Sequence, residues 1–159
     1  MKSVIIYYSY SGNTKKVAQE LEYHLKKTSE VDMIELVPKD EPRSFFGQCK
    51  RAFWHSKAKL EPVNMDLLPY DLICFGTPVW AFGPAPAVNA YLEECSGLCD
   101  KTAVLFTTYG SGTGNDRCLK YMQGILARKG VEDFKQFSVQ QYKVDDQEFV
   151  QSVIKEALK

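Results

Sequence analysis

Three short stretches hold the residues whose types and spacing suit chemistry. The first, Ser9-Tyr10-Ser11-Gly12-Asn13-Thr14, gathers hydroxyls, an amide side chain and a glycine. Gly12 permits a tight turn, and Ser11, Asn13 and Thr14 all suit the N-cap of a helix. A helix N-terminus carries about half a positive charge and several free N–H groups, so it attracts anions and phosphate in particular. No lysine stands inside this stretch, so neutral donors would hold the anion. The plainer alternative is a turn that only caps its helix. The second stretch, from Gly76 to Pro86, contains Thr77, Pro78, Val79, Trp80, Phe82 and Gly83. An aromatic on such a loop suits stacking on a flat heterocycle; alternatively, Trp80 packs beneath the loop. The third stretch, Thr107 to Asn115, contains Thr108, Tyr109, Gly110, Gly112 and Gly114. Its glycines let backbone amides come close to a ligand, but their spacing is not the dinucleotide fingerprint. Tyr109 either covers the second face of a planar ligand or is a plain loop aromatic.

Other chemistries lack their parts. There is no GxxxxGK[ST] for a P-loop and no GxSxG elbow for a serine nucleophile. His24 falls on a polar helical face and His55 in a basic segment, so a histidine-based triad is not expected. No cysteine is followed six residues later by arginine, which argues against a cysteine phosphatase. Asp145-Asp146 reads as a helix N-cap. Among Cys49, Cys74, Cys95, Cys99 and Cys118 no two form a CxxC pair. Cys95 and Cys99 are separated by Ser96-Gly97, which reads as a helix ending rather than a metal site. The odd count favours reduced thiols and a cytoplasmic setting.

These stretches need a scaffold, and the hydrophobic pattern supplies one. Val4-Ile5-Ile6-Tyr7-Tyr8 is apolar on both faces, as in a parallel strand covered on both sides. Leu72 to Phe75 and Ala103 to Phe106 share that texture, while Met33 to Val37 and Phe137 to Val139 read as strands nearer the edges. Between them lie helical stripes: Val17, Ala18, Leu21 and Leu25; Val88, Tyr91, Leu92 and Cys95; Leu119, Met122 and Leu126; Phe149, Val150, Val153, Ile154 and Leu158. Strand alternating with helix predicts right-handed βαβ units with helices on both faces of the sheet. Residues 38–69 break the rhythm with Pro38, Pro42, Pro62 and Pro69. Within them, Ser44 to Trp54 reads as an amphipathic helix, either a crossover packing Phe46, Phe53 and Trp54 on the sheet or a lid with a basic rim of Lys50, Arg51 and Lys57.

The 159 residues suit one domain, 1–159, with no internal repeat or linker. Twenty basic residues balance 20 acidic ones, so nothing pulls the chain globally toward nucleic acid. Met1-Lys2-Ser3 leads straight into a strand-like run without a signal-peptide pattern. No apolar run reaches membrane-spanning length, so no membrane partner is expected.

The motif Ser9-x-Ser11-Gly12-Asn13-Thr14 resembles the phosphate loop of the flavodoxin family, and the two later loops are similar to its flavin-ring loops. The likeness runs over essentially the whole chain and is densest from Tyr70 to Leu92. It implies an α/β fold: a doubly wound, five-stranded parallel sheet of order 2-1-3-4-5 with helices on both faces, holding FMN non-covalently at the switch point. It carries phosphate binding to Ser9, Ser11, Gly12, Asn13 and Thr14, and ring binding to Thr77, Pro78, Val79, Trp80, Tyr109, Gly110 and Gly114. Tyr10, Phe82, Gly83, Thr108 and Gly112, in the same loops, complete the expected cofactor-binding set.

Three features depart from that family: typical flavodoxins are strongly acidic and this chain is neutral, the 38–69 segment is long and basic, and the ring loop Pro78-Val79-Trp80-Ala81-Phe82-Gly83 lacks the usual glycine beside the tryptophan. Apolar aromatics and few cations beside the ring would make a second electron harder to add. The leading expectation is therefore a low-potential one-electron carrier, monomeric, meeting a donor reductase and an acceptor protein transiently. The alternative is an NAD(P)H-dependent FMN or quinone reductase on the same fold. A third reading is a partner-binding protein that has lost its flavin.

Overall fold

The computed structural model describes residues 1–39, 58–110 and 112–159. In chain order the elements are β1 (Lys2–Tyr7), α1 (Asn13–Leu25), β2 (Glu30–Glu35), β3 (Leu72–Trp80), β4 (Gly83–Pro84), α2 (Pro86–Glu94), β5 (Thr102–Tyr109), α3 (Asn115–Ala127), β6 (Asp133–Gln140) and α4 (Gln147–Ala157). The helix expected over Ser44 to Trp54 lies outside the described residues.

Because alternate strand residues point to opposite faces, the doubly apolar strands divide between two cores. Val4 and Ile6 of β1, Ile73 and Phe75 of β3, and Ala103 and Leu105 of β5 join Val88, Tyr91 and Leu92 of α2 and Leu119, Met122 and Leu126 of α3. On the other face Ile5, Cys74, Val104 and Phe106 join Val17, Ala18 and Leu21 of α1 and Val150 and Ile154 of α4. Each helical stripe read from the sequence is thus the face that its helix buries. The sheet runs β2-β1-β3-β5-β6, all parallel, with β4 pairing antiparallel to the end of β3. Counting the five parallel strands alone, this is the expected 2-1-3-4-5 order; β4 is an addition.

Strand limits differ from the sequence reading in two ways. The second strand spans Glu30–Glu35, earlier than the expected Met33 to Val37. It is an edge strand with half-exposed residues, so its apolar pattern is diluted, and buried Leu36 beyond its end drew the reading downstream. Meanwhile β3 and β5 run on through what read as loop, because their ladder continues through Thr77↔Thr107 and Pro78↔Thr108. The 3₁₀ turn Gln141–Lys143 leads to α4, where Asp146 Oδ1 accepts the Phe149 N–H at 3.0 Å, the expected N-cap. Among the described residues no helix is long and apolar enough to cross a membrane.

Candidate functional site

The carboxyl ends of β1, β3 and β5 lie side by side, so the three stretches that follow them share one crevice, the usual ligand position in an open parallel sheet. At β1 the chain enters α1 through Gly12, whose φ of 89° makes it the N-cap without a side chain to offer. The first intrahelical bond runs from Lys16 N–H to the Gly12 carbonyl at 3.1 Å. The N–H groups of Asn13 and Thr14 precede it and point out of the helix start. A Cβ added at Gly12 would meet nothing within 4 Å, so the turn is open on that side.

The hydroxyls divide their duties. Ser11 is exposed. Ser9 Oγ accepts the Lys15 N–H at 3.2 Å and so caps the first turn of α1. Thr14 is only 1% exposed, and its Oγ1 lies 2.7 Å from Oγ1 of Thr108, itself 4% exposed. That buried bond ties the start of α1 to the end of β5.

The neutral-donor reading of this turn has a structural counterpart. Lys15 Nζ pairs with Glu35 Oε2 at 2.8 Å, and Lys16 Nζ with Asp145 Oδ1 at 2.6 Å. Both cations flanking the turn are therefore already compensated. The Tyr7 hydroxyl donates to the same Glu35 oxygen at 3.1 Å. Burial first, then the Glu35 charge, pushes its pKa well above the ordinary phenol range, so it remains a donor.

At β3 the strand ends on Trp80, which pairs with Gly83 across a two-residue turn. Ala81 and Phe82 in that turn both have positive φ, 47° and 67°. Such hairpin turns normally use Asn and Gly, since side chains strain the backbone there. Trp80 is half-buried against the α2–α3 core. The Tyr8 ring meets it edge-on at 5.6 Å and the Tyr10 ring at 6.0 Å. Trp80 thus packs beneath the loop, the second of its two readings, and it also meets Tyr10 of the first stretch.

Thr77 lies three residues earlier in β3. Fully buried, it donates to the Pro78 carbonyl and accepts the Ala85 N–H, both at 2.9 Å, clasping the base of the hairpin. Pro78 pairs with Thr108, and half-buried Val79 packs toward the α2–α3 core.

At β5 the strand ends on half-buried Tyr109. Exposed Gly110 accepts from Gln140 Nε2 at 3.1 Å, and Gly112 is exposed. Gly114 is the N-cap of α3 with φ 97°, and a Cβ there would stand 2.7 Å from Phe82 Cδ1. Glycine is required on both counts, and the hairpin tip rests on this helix start. Phe82 is nevertheless 53% exposed, with the Arg117 guanidinium 5.9 Å from its ring centroid. Sequence reading missed Arg117, Ala81 and the Tyr7–Glu35–Lys15 cluster. Only Arg117 left a signal, standing three residues after the N-cap glycine and hence in the first turn.

Among the described residues, burial pushes the thiols of Cys118 and Cys95 up, to about 12 and about 11, away from the thiolate form.

The family model of NADPH-dependent FMN reductases matches residues 1–143 of the chain. Among solved structures, a Bacteroides uniformis protein superposes with a TM-score of 0.74 at 20% identity, covering 97% of each chain. A Lactobacillus acidophilus flavoprotein in complex with FMN gives 0.60 at 21% identity, over 92% of this chain and 98% of that one. Oxidised flavodoxin 1 from Bacillus cereus gives 0.62 at 19% identity over the whole of both chains. At these identities the structural likeness is one of fold: the flavodoxin-like doubly wound sheet.

Proposed function

Since this chain belongs to the family of NADPH-dependent FMN reductases, we propose that it is an FMN-dependent oxidoreductase that takes its electrons from a reduced nicotinamide nucleotide. FMN is the cofactor, and the residues present suit it. A helix start whose N-cap, Gly12, has no side chain and is open on that side offers the Asn13 and Thr14 N–H groups to a phosphate, and the aromatic face of Trp80 lies at the adjacent strand end. Bound FMN supplies the redox chemistry, accepting a hydride and giving up two electrons to an acceptor. With a quinone the balance is NAD(P)H + H⁺ + quinone → NAD(P)⁺ + quinol.

The chain's own residues hold and orient. Asn13 and Thr14 N–H groups and the Ser11 hydroxyl hold the phosphate without a cation. Thr108 fixes Thr14 from behind. Trp80, steadied by Tyr8 and Tyr10, gives the flavin ring an apolar wall that excludes water.

The single observation that carries the reductase reading over the one-electron carrier is the family match across residues 1–143. The neutral charge agrees with it, since a small nucleotide donor needs no acidic docking face. The test is the visible flavin spectrum of FMN-reconstituted protein, recorded without oxygen before and after adding NADPH and then NADH. Bleaching, with turnover on adding a quinone to catalytic amounts of protein, is the expected result. Persistent yellow with both nucleotides would refute the reductase reading and favour a carrier fed by a separate reductase protein.

A further inference from the structure

We infer that Phe82 and Arg117 form the docking point for the nicotinamide nucleotide, an inference that rests on the reductase reading. Arg117 meets the nucleotide's phosphates, and the Phe82 ring gives a flat face to one of its heterocycles.

The first argument is the distribution of charge. Lys15 and Lys16, in the first turn of α1, pair with Glu35 and Asp145. Arg117 does not: among the described residues its one contact of this kind is with the Phe82 ring at 5.9 Å. The neighbouring carboxylate, Asp116, is engaged by Asn115 Nδ2 at 3.3 Å, and adjacent helical residues do not face one another. A chain with a net charge of zero exerts no long-range pull on an anion. Capture of a polyanionic nucleotide therefore falls to a local cation, and a guanidinium fits phosphate oxygens in a fork.

The second argument is the cost at which Phe82 is displayed. The hairpin keeps Ala81 and Phe82 at positive φ, and Gly114 is stripped of a side chain where the ring rests. The outcome is a large apolar ring 53% exposed to water at the tip of the hairpin that also carries Trp80. A backbone strained to present an aromatic beside a cation without a carboxylate partner among the described residues suits an occupant that is both flat and anionic. A dinucleotide has both properties.

The experiment uses FMN-loaded protein, steady-state turnover with NADPH or NADH, and a quinone acceptor. Arg117→Ala is expected to raise KM for the nucleotide about 10-fold while kcat stays within about 2-fold, as for loss of a charged contact made equally before and during reaction. Arg117→Glu raises KM further, Arg117→Lys recovers part of the loss, and the inhibition constant of NADP⁺ moves in parallel. The wild-type KM rises with added salt, and the Arg117→Ala response is flatter. Phe82→Ala also raises KM. FMN affinity, quinone KM and melting temperature stay put in the Arg117 variants.

An unchanged nucleotide KM in both Arg117→Ala and Arg117→Glu, with wild-type turnover intact, overturns the inference alone. A parallel fall in FMN affinity also overturns it, by placing Arg117 on the cofactor. So does an effect confined to a protein reductase as donor, which would make the surface a protein-docking face. Wild-type protein that neither nucleotide reduces overturns the reductase reading itself, a result seen before any variant is needed.

Discussion

Replacing Thr108 by Val tests whether the cofactor turn is held from behind by a buried hydroxyl pair. The two Oγ1 atoms are 2.7 Å apart, in residues 1% and 4% exposed. Valine keeps the shape of threonine and removes only the polar atom. Thr108→Val leaves the Thr14 hydroxyl buried without that partner, at a cost of about 1–3 kcal/mol. Thr14→Val strands Thr108 in the same way. In the double variant both polar groups are gone, and replacing both by apolar groups of like shape is nearly neutral. The double variant is therefore less destabilised than the sum of the singles, by about 2–6 kcal/mol if each single costs about 1–3 and the double is neutral. For a chain of this length each kcal/mol moves Tm by about 2–4 °C, so Thr108→Val melts roughly 2–12 °C lower. The assay is urea unfolding followed by circular dichroism on FMN-free protein, because bound FMN would add its own stabilisation by mass action. Additivity within about 0.5 kcal/mol would refute the pairing, as would a Thr108→Val protein as stable as wild type.

Trp80→Ala removes the apolar wall and an aromatic contact with each of Tyr8 and Tyr10; FMN binding is expected to weaken by about 10- to 100-fold, with shifted reduction potentials. Recovery of flavin fluorescence on titration measures the affinity, and unchanged affinity and potentials together would take Trp80 out of the site. Tyr70→Phe tests Asp32, whose carboxyl is held below its usual pKa chiefly by the Tyr70 hydroxyl at 2.9 Å and also by Lys2. A depressed carboxyl stabilises the fold above its unfolded pKa and loses that contribution as pH falls through the folded pKa. The variant should thus melt below wild type at neutral pH, by up to about 1 kcal/mol for so exposed a carboxylate. The gap should close in acid below the carboxylate range; a pH-independent gap would point to ring packing instead.

The parts of this molecule legible in sequence are those with a strong local pattern. Val4, Ile5 and Ile6 could be read as a covered strand because each is fully buried, whichever face it points to. The helical stripes were legible for the same reason. The hairpin at Trp80 was not, because Ala81-Phe82 lacks the Asn-Gly signature and only the β3–β4 pairing reveals it. Thr77, a ring-binding position by the resemblance, has its hydroxyl engaged as the clasp of that hairpin, since nothing in a linear sequence says which way a threonine turns. The pairing of Lys15 with Glu35 joins α1 to the end of β2, and the contact of Phe82 with Arg117 joins two different strand ends. Such contacts exist only once the chain is folded, so no spacing rule finds them.

The buttress behind the cofactor turn also dictates a timetable. Thr14 leaves the ribosome early, but its partner Thr108 follows 94 residues later, and Gln151, which donates to Glu20 of the same helix, 131 residues later. At about 5–20 residues per second, the first helix waits on the order of ten seconds for its last neighbour. Through that interval β1, apolar on both sides, has only part of its eventual cover. A nascent chain of this design therefore exposes apolar strand surface before it has a complete site for FMN. Loading of the cofactor belongs after the helix that carries Gln151 has closed over α1.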